Sequence, residues 1–213
     1  MKIFFLIMLM ISSILSFGQS AKMYKQSFDR FIELDSSNIV LIPIDWGNNA
    51  KIGEIKIMGN RRTKNIFFYD PTNDYQKLLF QESQQIIVNY SGQLLHRSYK
   101  LDTIKHLNRD HLYYSVIKDD YNGDKKLDSD DPKYLYYSKI DGTDLTLLTP
   151  KYYHLKYYKY IKSSNVILAT LISDENQDRK FNNKDSEVLY KIDLNDFSKS
   201  KIITKLKLKG EME

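Results

Sequence analysis

Cysteine is absent from the 213 residues, which excludes disulfides, thiolate catalysis and zinc–thiolate sites. None of the eight glycines forms a phosphate-binding loop, and neither an HExxH helix nor a serine-centred elbow occurs. The four histidines, His96, His106, His111 and His154, are not spaced as a metal set. Past the first 18 residues no apolar run is long enough to span a bilayer. Positive charge is not concentrated either. The 32 Lys and Arg stand against 27 Asp and Glu, for a net +5, and the lysines are scattered between acidic stretches. Only Lys199–Lys209 approaches a basic block, and there charge alternates with Ile and Leu as in a last strand with a solvated lysine face. A nucleic-acid footprint is therefore not expected.

What is present begins with MKIFFLIMLMISSILSFGQS. Lys2 supplies a short positive region, Ile3–Leu15 an apolar core, and Ser16-Phe17-Gly18 the small residues of a cleavage site. The expectation is a signal peptide over 1–18 and an unanchored exported protein, periplasmic or secreted, with no cysteine for lipidation. The roughly 195 residues that follow suffice for one domain with a sizeable core. A lead-in over 19–37 reads equally as a short helix or as extended chain.

Seventeen Tyr, ten Phe and many short alternating runs then predict an all-β domain over 38–208. Strand signals come in sets of four. NIVLIPIDW, IGEIKIMG, NIFFYD and QKLLF form the first (38–80). QIIVNY, HLYYSVIK, YLYYSKI and LTLL form the second (81–148). HLKYYKYI, VILATLI, VLYKID and KIITKL form the third (149–206). A polar connection, 91–110, interrupts the second set. HLYYSVIKDDYNGD aligns with NVILATLISDENQD, and KYLYYSKID with EVLYKIDL, so the chain is a repeat of three four-stranded antiparallel units.

Two of the aligned connections carry a ladder of oxygen donors. DYNGDKKLDSDD (Asp120–Asp131) returns 54 residues later as DENQDRKFNNKD (Asp174–Asp185). Asp, Asn and Asp at positions 1, 3 and 5, with Asp at 12, is a spacing that folds one loop around a hard cation such as Ca2+. The expected ligands are Asp120, Asn122, Asp124, the Lys126 carbonyl, Asp128 and Asp131. Those of the second loop are Asp174, Asn176, Asp178, the Lys180 carbonyl, Asn182 and Asp185. Leu127 and Phe181, at position 8, should point inward. Position 6 needs a positive φ and holds Lys125 and Arg179 in place of Gly, at a cost on the order of 1 kcal/mol. Position 12 is Asp where a longer, bidentate Glu closes the sphere more tightly. Both features predict weak sites, with Kd about 10⁻⁴–10⁻³ M, and Asn182 makes the second the weaker.

Tyr134–Pro150, YLYYSKIDGTDLTLLTP, resembles the strand, Asp-Gly turn and Leu-Thr ending of TolB-type β-propeller repeats, and the other units resemble it more weakly. The acidic loops resemble the calcium loops of EF-hands and dockerins. The first resemblance implies blade-like sheets. Three units would stack without closing a ring, form a sandwich, or close a propeller with a second copy as a homo-oligomer. The second implies Ca2+. Here β-branched and aromatic flanks predict that the loops join strands, so the ion is expected to staple and not to signal.

Asp45 beside Trp46 is the one pair suggestive of a sugar contact, and a core tryptophan at a strand end is the favoured reading. The expected role is a binding or scaffold module for a protein or glycan, more in keeping with a non-enzyme. The alternatives are a secreted carbohydrate-active hydrolase on a propeller face and a structural envelope component. A hydrolase would show a cleft with convergent carboxylates outside the loops; a binding module would show an exposed aromatic patch.

Overall fold

The computed structural model describes residues 27–34, 37–46, 51–52, 55–57, 63–82, 84–90 and 111–207. The expected leader and the 91–110 connection, with His96 and His106, lie outside these residues. So does the end of the basic stretch beyond Lys207.

The described chain is all-β, with no α-helix among the described residues. The lead-in contributes two short strands, β1 (Ser27–Phe28) and β2 (Ile32–Glu33), which pair with β3 (Val40–Asp45). There follow β4 (Lys51–Ile52), β5 (Ile55–Ile57), β6 (Thr63–Asp70) and β7 (Tyr75–Leu78). The second unit supplies β8 (Ile86–Tyr90), β9 (His111–Ile117), β10 (Lys126–Leu127), β11 (Lys133–Lys139) and β12 (Thr146–Leu147). The third supplies β13 (Tyr153–Ile161), β14 (Val166–Ser173), β15 (Ser186–Asp193) and β16 (Lys201–Lys207).

The expected third unit is present as an independent antiparallel meander, β13-β14-β15-β16. The first two are not separate. They share one nine-stranded sheet, β1-β3-β6-β8-β9-β11-β12, with β2 and β7 on its flanks. Three separate radial blades are thus corrected to two main sheets, and neither closes on itself. The reason lies in the first unit. IGEIKIMG was expected to stand between its first and third strands; instead β3 pairs directly with β6. The displaced β4–β5 hairpin forms a small sheet of its own with β10, the one parallel pairing in the described chain. On the opposite edge of β6, beyond the stretch that β7 covers (Phe67–Asp70), Thr63 reaches β8 at Ile87.

Because that junction is a single register pair, the two halves of the large sheet fold against each other. Leu41, Ile66 and Phe68 of the first half pack in one cluster with Ile87, Leu112, Tyr114 and Val116 of the second. The other face of the second half, through Tyr113, Leu135 and Leu148, meets Leu155, Ile167, Ala169, Leu171, Val188 and Ile192 of the third unit. The second unit is therefore a middle layer, which explains why HLYYSVI is apolar without alternation: it is buried on both faces. β14 contacts one cluster only, and its inward residues alternate accordingly.

Each unit ends in a hairpin turned by the same device. Asp70, Asp141 and Asp193 each accept a backbone N–H from two residues on, in Thr72, Thr143 and Asn195. Gly142 sits in the second of these turns at φ +80°, facing the Phe68 ring of the first unit. A Cβ there would lie 2.6 Å from that ring. Gly142→Ala is expected to cost about 2–4 kcal/mol from left-handed strain and overpacking. The melting midpoint should then fall by roughly 2–4 °C per kcal/mol. An unchanged midpoint would show that the ring moves freely and that the packing of the first two units is loose.

Candidate metal loops

Both loops join strands, as their flanks predict: the first runs from β9 to β11 and the second from β14 to β15. Their backbones match residue for residue. Lys125 and Arg179, at position 6, adopt φ of 63° and 61°, and position 4 is also left-handed, at Gly123 (75°) and Gln177 (58°). The glycine-demanding conformation is therefore adopted without glycine, and local hydrogen bonds hold it.

Those bonds come from the expected ligands. Asp120 accepts the N–H groups of Gly123 (2.8 Å) and Lys125 (3.1 Å); Asp174 accepts that of Arg179 (2.9 Å). Asn122 and Asn176 accept from Asp124 and Asp178, which in turn accept from Lys126 and Lys180. Asp128 and Asn182 cap the next turn through Asp130 and Lys184. Asp131 and Asp185 are fully buried and tie the two ends of each loop together. Asp131 accepts from Tyr121 and Asp128 (2.9 and 3.1 Å); Asp185 accepts from Glu175 and Asn182 (3.1 and 2.8 Å). All twelve residues thus lie in two equivalent loops, whose side-chain oxygens accept backbone N–H groups of their own loop.

Among the described residues, no three His, Asp or Glu side chains stand close enough to hold a metal ion. Amide and carbonyl oxygens, five of the twelve expected donors, fall outside that comparison. One atom bears directly on a cation: Asp174 Oδ1 is buried and has no hydrogen-bond partner, while its Oδ2 takes two. A carboxylate oxygen withdrawn from water without a donor is costly, and a cation would remove the cost.

Position 8 differs between the loops. Leu127 is fully buried with Trp46, Ile86 and Ile117, and its strand β10 pairs with β5. Phe181 is half-buried and stacks on Tyr121 at 5.6 Å and 26°. Trp46 is a core residue whose Nε1 donates to the Gln85 carbonyl, and Asp45 bonds Thr63, so the pair is not a sugar platform. Glu187, two residues beyond Asp185 and a conceivable further donor by position, instead forms an ion pair with Lys156 (2.7 Å).

Sequence spacing missed Tyr121, which ties the loops to each other. Its hydroxyl donates to Asp174 Oδ2 at 2.9 Å, and its ring also meets Tyr152 at 5.6 Å. His154 touches both loops, with Nδ1 3.3 Å from the Asp131 carbonyl oxygen and its ring 5.3 Å from Phe181. The available signal was an aromatic residue at position 2 of one loop only.

Away from the loops, an open groove of about 310 Å³ lies between the first two units. Its carboxylates, Glu82 and Asp144, are ion-paired with Lys118 (3.0 Å) and Lys139 (2.7 Å). No helix among the described residues is long and apolar enough to cross a membrane.

Burial pushes the Asp131 carboxyl up to about 6, while the N–H bonds from Asp128 and Tyr121 pull against it. The folded chain therefore binds this proton more readily than the unfolded chain, where a carboxyl titrates near 3.9. In EDTA, the part of the stability owed to Asp131 should rise as pH falls from about 6 to 4, by on the order of 2–3 kcal/mol. Urea unfolding across that window should show the slope in the wild type and its loss in Asp131→Asn. Parallel curves would mean that the carboxyl is not held in a desolvated state. Compared with known proteins, the chain matches no family model and no curated protein.

Proposed function

We propose that this is an exported calcium-binding β-repeat protein, with two cations stapling the loops at one end of adjacent layers, that serves as a binding or scaffold module. The observation that carries the calcium reading is the buried, unpartnered Oδ1 of Asp174, at position 1 of a loop whose other donors are all oxygens. Its support is the left-handed backbone at Lys125 and Arg179, the turn that oxygen ladder requires. The ions are structural because paired strands flank both loops, leaving no helix to swing when a cation binds. Export rests on the leader-like residues 1–18, and the absence of cysteine leaves no residue for a lipid anchor behind them.

The binding role rests on surface character. Tyr152 is 58% exposed and lies against Tyr121 beside the loops, an aromatic patch suited to a glycan or peptide. Tyr157, 62% exposed, adds a second aromatic on the third unit. A hydrolase reading has less to stand on, since the groove carboxylates are each ion-paired to lysine.

Thermal unfolding in EDTA and in millimolar Ca2+ tests the calcium reading. At a concentration about tenfold above Kd, each loop should add roughly 1.4 kcal/mol. The midpoint should rise in the wild type and not in an Asp120→Ala, Asp174→Ala double variant. Equal midpoints with and without calcium would reduce both loops to ordinary polar turns.

A further inference from the structure

We infer that Tyr121 makes the two loops a single cooperative calcium unit by joining the closing residue of the first to the opening residue of the second. This rests on the calcium reading above and adds to it a regulation between the sites.

The connection is short and specific. The Tyr121 backbone N–H donates to Asp131 Oδ1 at 2.9 Å, and its hydroxyl donates to Asp174 Oδ2 at 2.9 Å. Asp131 is position 12 of the first loop and Asp174 position 1 of the second. One residue therefore spans from the last expected ligand of one site to the first expected ligand of the other. With Oδ2 held by Tyr121 and by the Arg179 N–H, the Asp174 carboxylate is fixed in orientation, and Oδ1 is the oxygen left for a cation.

The surroundings make the link stiff. The Tyr121 ring is held between Tyr152 and Phe181, both at 5.6 Å, and Phe181 is position 8 of the second loop. His154 forms a second brace, between the Asp131 carbonyl and the Phe181 ring. The Arg179 guanidinium lies over Gly123, so the second loop also covers the first.

The link is directional in construction. Glu175, the counterpart of Tyr121 in the second loop, turns to its own unit, where it takes the Ser186 hydroxyl and the Lys205 ammonium (2.9 Å). Binding energy is nonetheless reciprocal: if closing the first loop helps the second, filling the second helps the first by the same factor. Closure around a cation fixes Asp131, which fixes the Tyr121 backbone, and the second loop then receives an Asp174 already in place. The second site, which has Asn182 where the first has Asp128, is the weaker one, and the coupling raises its affinity by the same factor as that of the first.

Calorimetric titration of the full chain with Ca2+ tests the inference, using Tyr121→Phe, which keeps the ring and deletes the hydroxyl. Asp124→Ala and Asp178→Ala leave one working loop each and give the single-site constants. In the wild type, the product of the two stepwise association constants should exceed the product of those single-site constants by about fivefold or more. In Tyr121→Phe the excess should vanish while two ions still bind. An excess that survives in Tyr121→Phe, or wild-type constants equal to the single-site product, overturns the coupling but leaves the calcium reading intact. No calcium heat in the wild type overturns both. The wild-type and Tyr121→Phe isotherms, steep against shallow, decide the matter even if a single-loop variant fails to fold.

Discussion

Burial of the second unit on both faces is the constraint from which the remaining architecture follows. Leu112, Tyr114 and Val116 point one way along β9, into the first unit, while Tyr113 points the other way, into the third. A strand in that position cannot spare either face for water, and its neighbour β11 divides its residues likewise, with Tyr136 on one side and Leu135 on the other. Among the polar groups of this layer, Tyr114 and Ser138 share a hydrogen bond of 2.7 Å in the core. Without the middle layer, the outer layers would each expose an apolar sheet face.

Stacking the layers in this way also brings the β4–β5 hairpin and the two acidic loops together, where each leans on the next. The β4–β5 hairpin of the first unit pairs with β10 inside the first acidic loop. That loop, through Tyr121, leans on the second. The first contact is a two-residue backbone pairing, and the second is a hydroxyl donated to a carboxylate beside stacked rings. The buried aspartates at position 12 are part of the same economy. Each ties the two ends of its loop with two N–H bonds, which makes the loop a compact body that a neighbour can lean on.

Most of the strands were legible in the sequence because their residues are dictated locally: alternation, β-branching and Asp-led turns such as Asp141-Gly142-Thr143. The left-handed backbone at Lys125 and Arg179 was legible too, since the donor ladder demands it at a fixed position. The place of IGEIKIMG was not. Its pairing with β10 spans two residues and some seventy positions of chain, and nothing in either segment announces the other. Tyr121 escaped for a related reason. Position 2 of such a loop donates no ligand, so its identity matters only once the neighbouring layer is in place. The last strand was half legible: Lys201–Lys207 is a strand, but Ile202, Ile203 and Leu206 are exposed along with the lysines. A bulge between Leu189 and Tyr190 shifts the register, and β16 is the edge of its sheet, with no layer beyond it. Lysines are suited to such an edge because they discourage further strand pairing.

The two loops differ in how they are fastened, and that difference decides what a cation in each would stabilise. The first loop is anchored to the core by Leu127 and by β10, so closing it secures the junction of the first and second units. The second has only Phe181, half-buried among Tyr121 and His154, and its anchor is therefore the first loop. A cation in the second loop would act on the contact between the second and third units, because its Asp174 is bonded to a residue of the second. Two weak sites placed in this way would do more than two isolated ones of the same strength. Each would stiffen the surface on which the other is built, and together they would clamp both interfaces of a layer that has no disulfide to hold it.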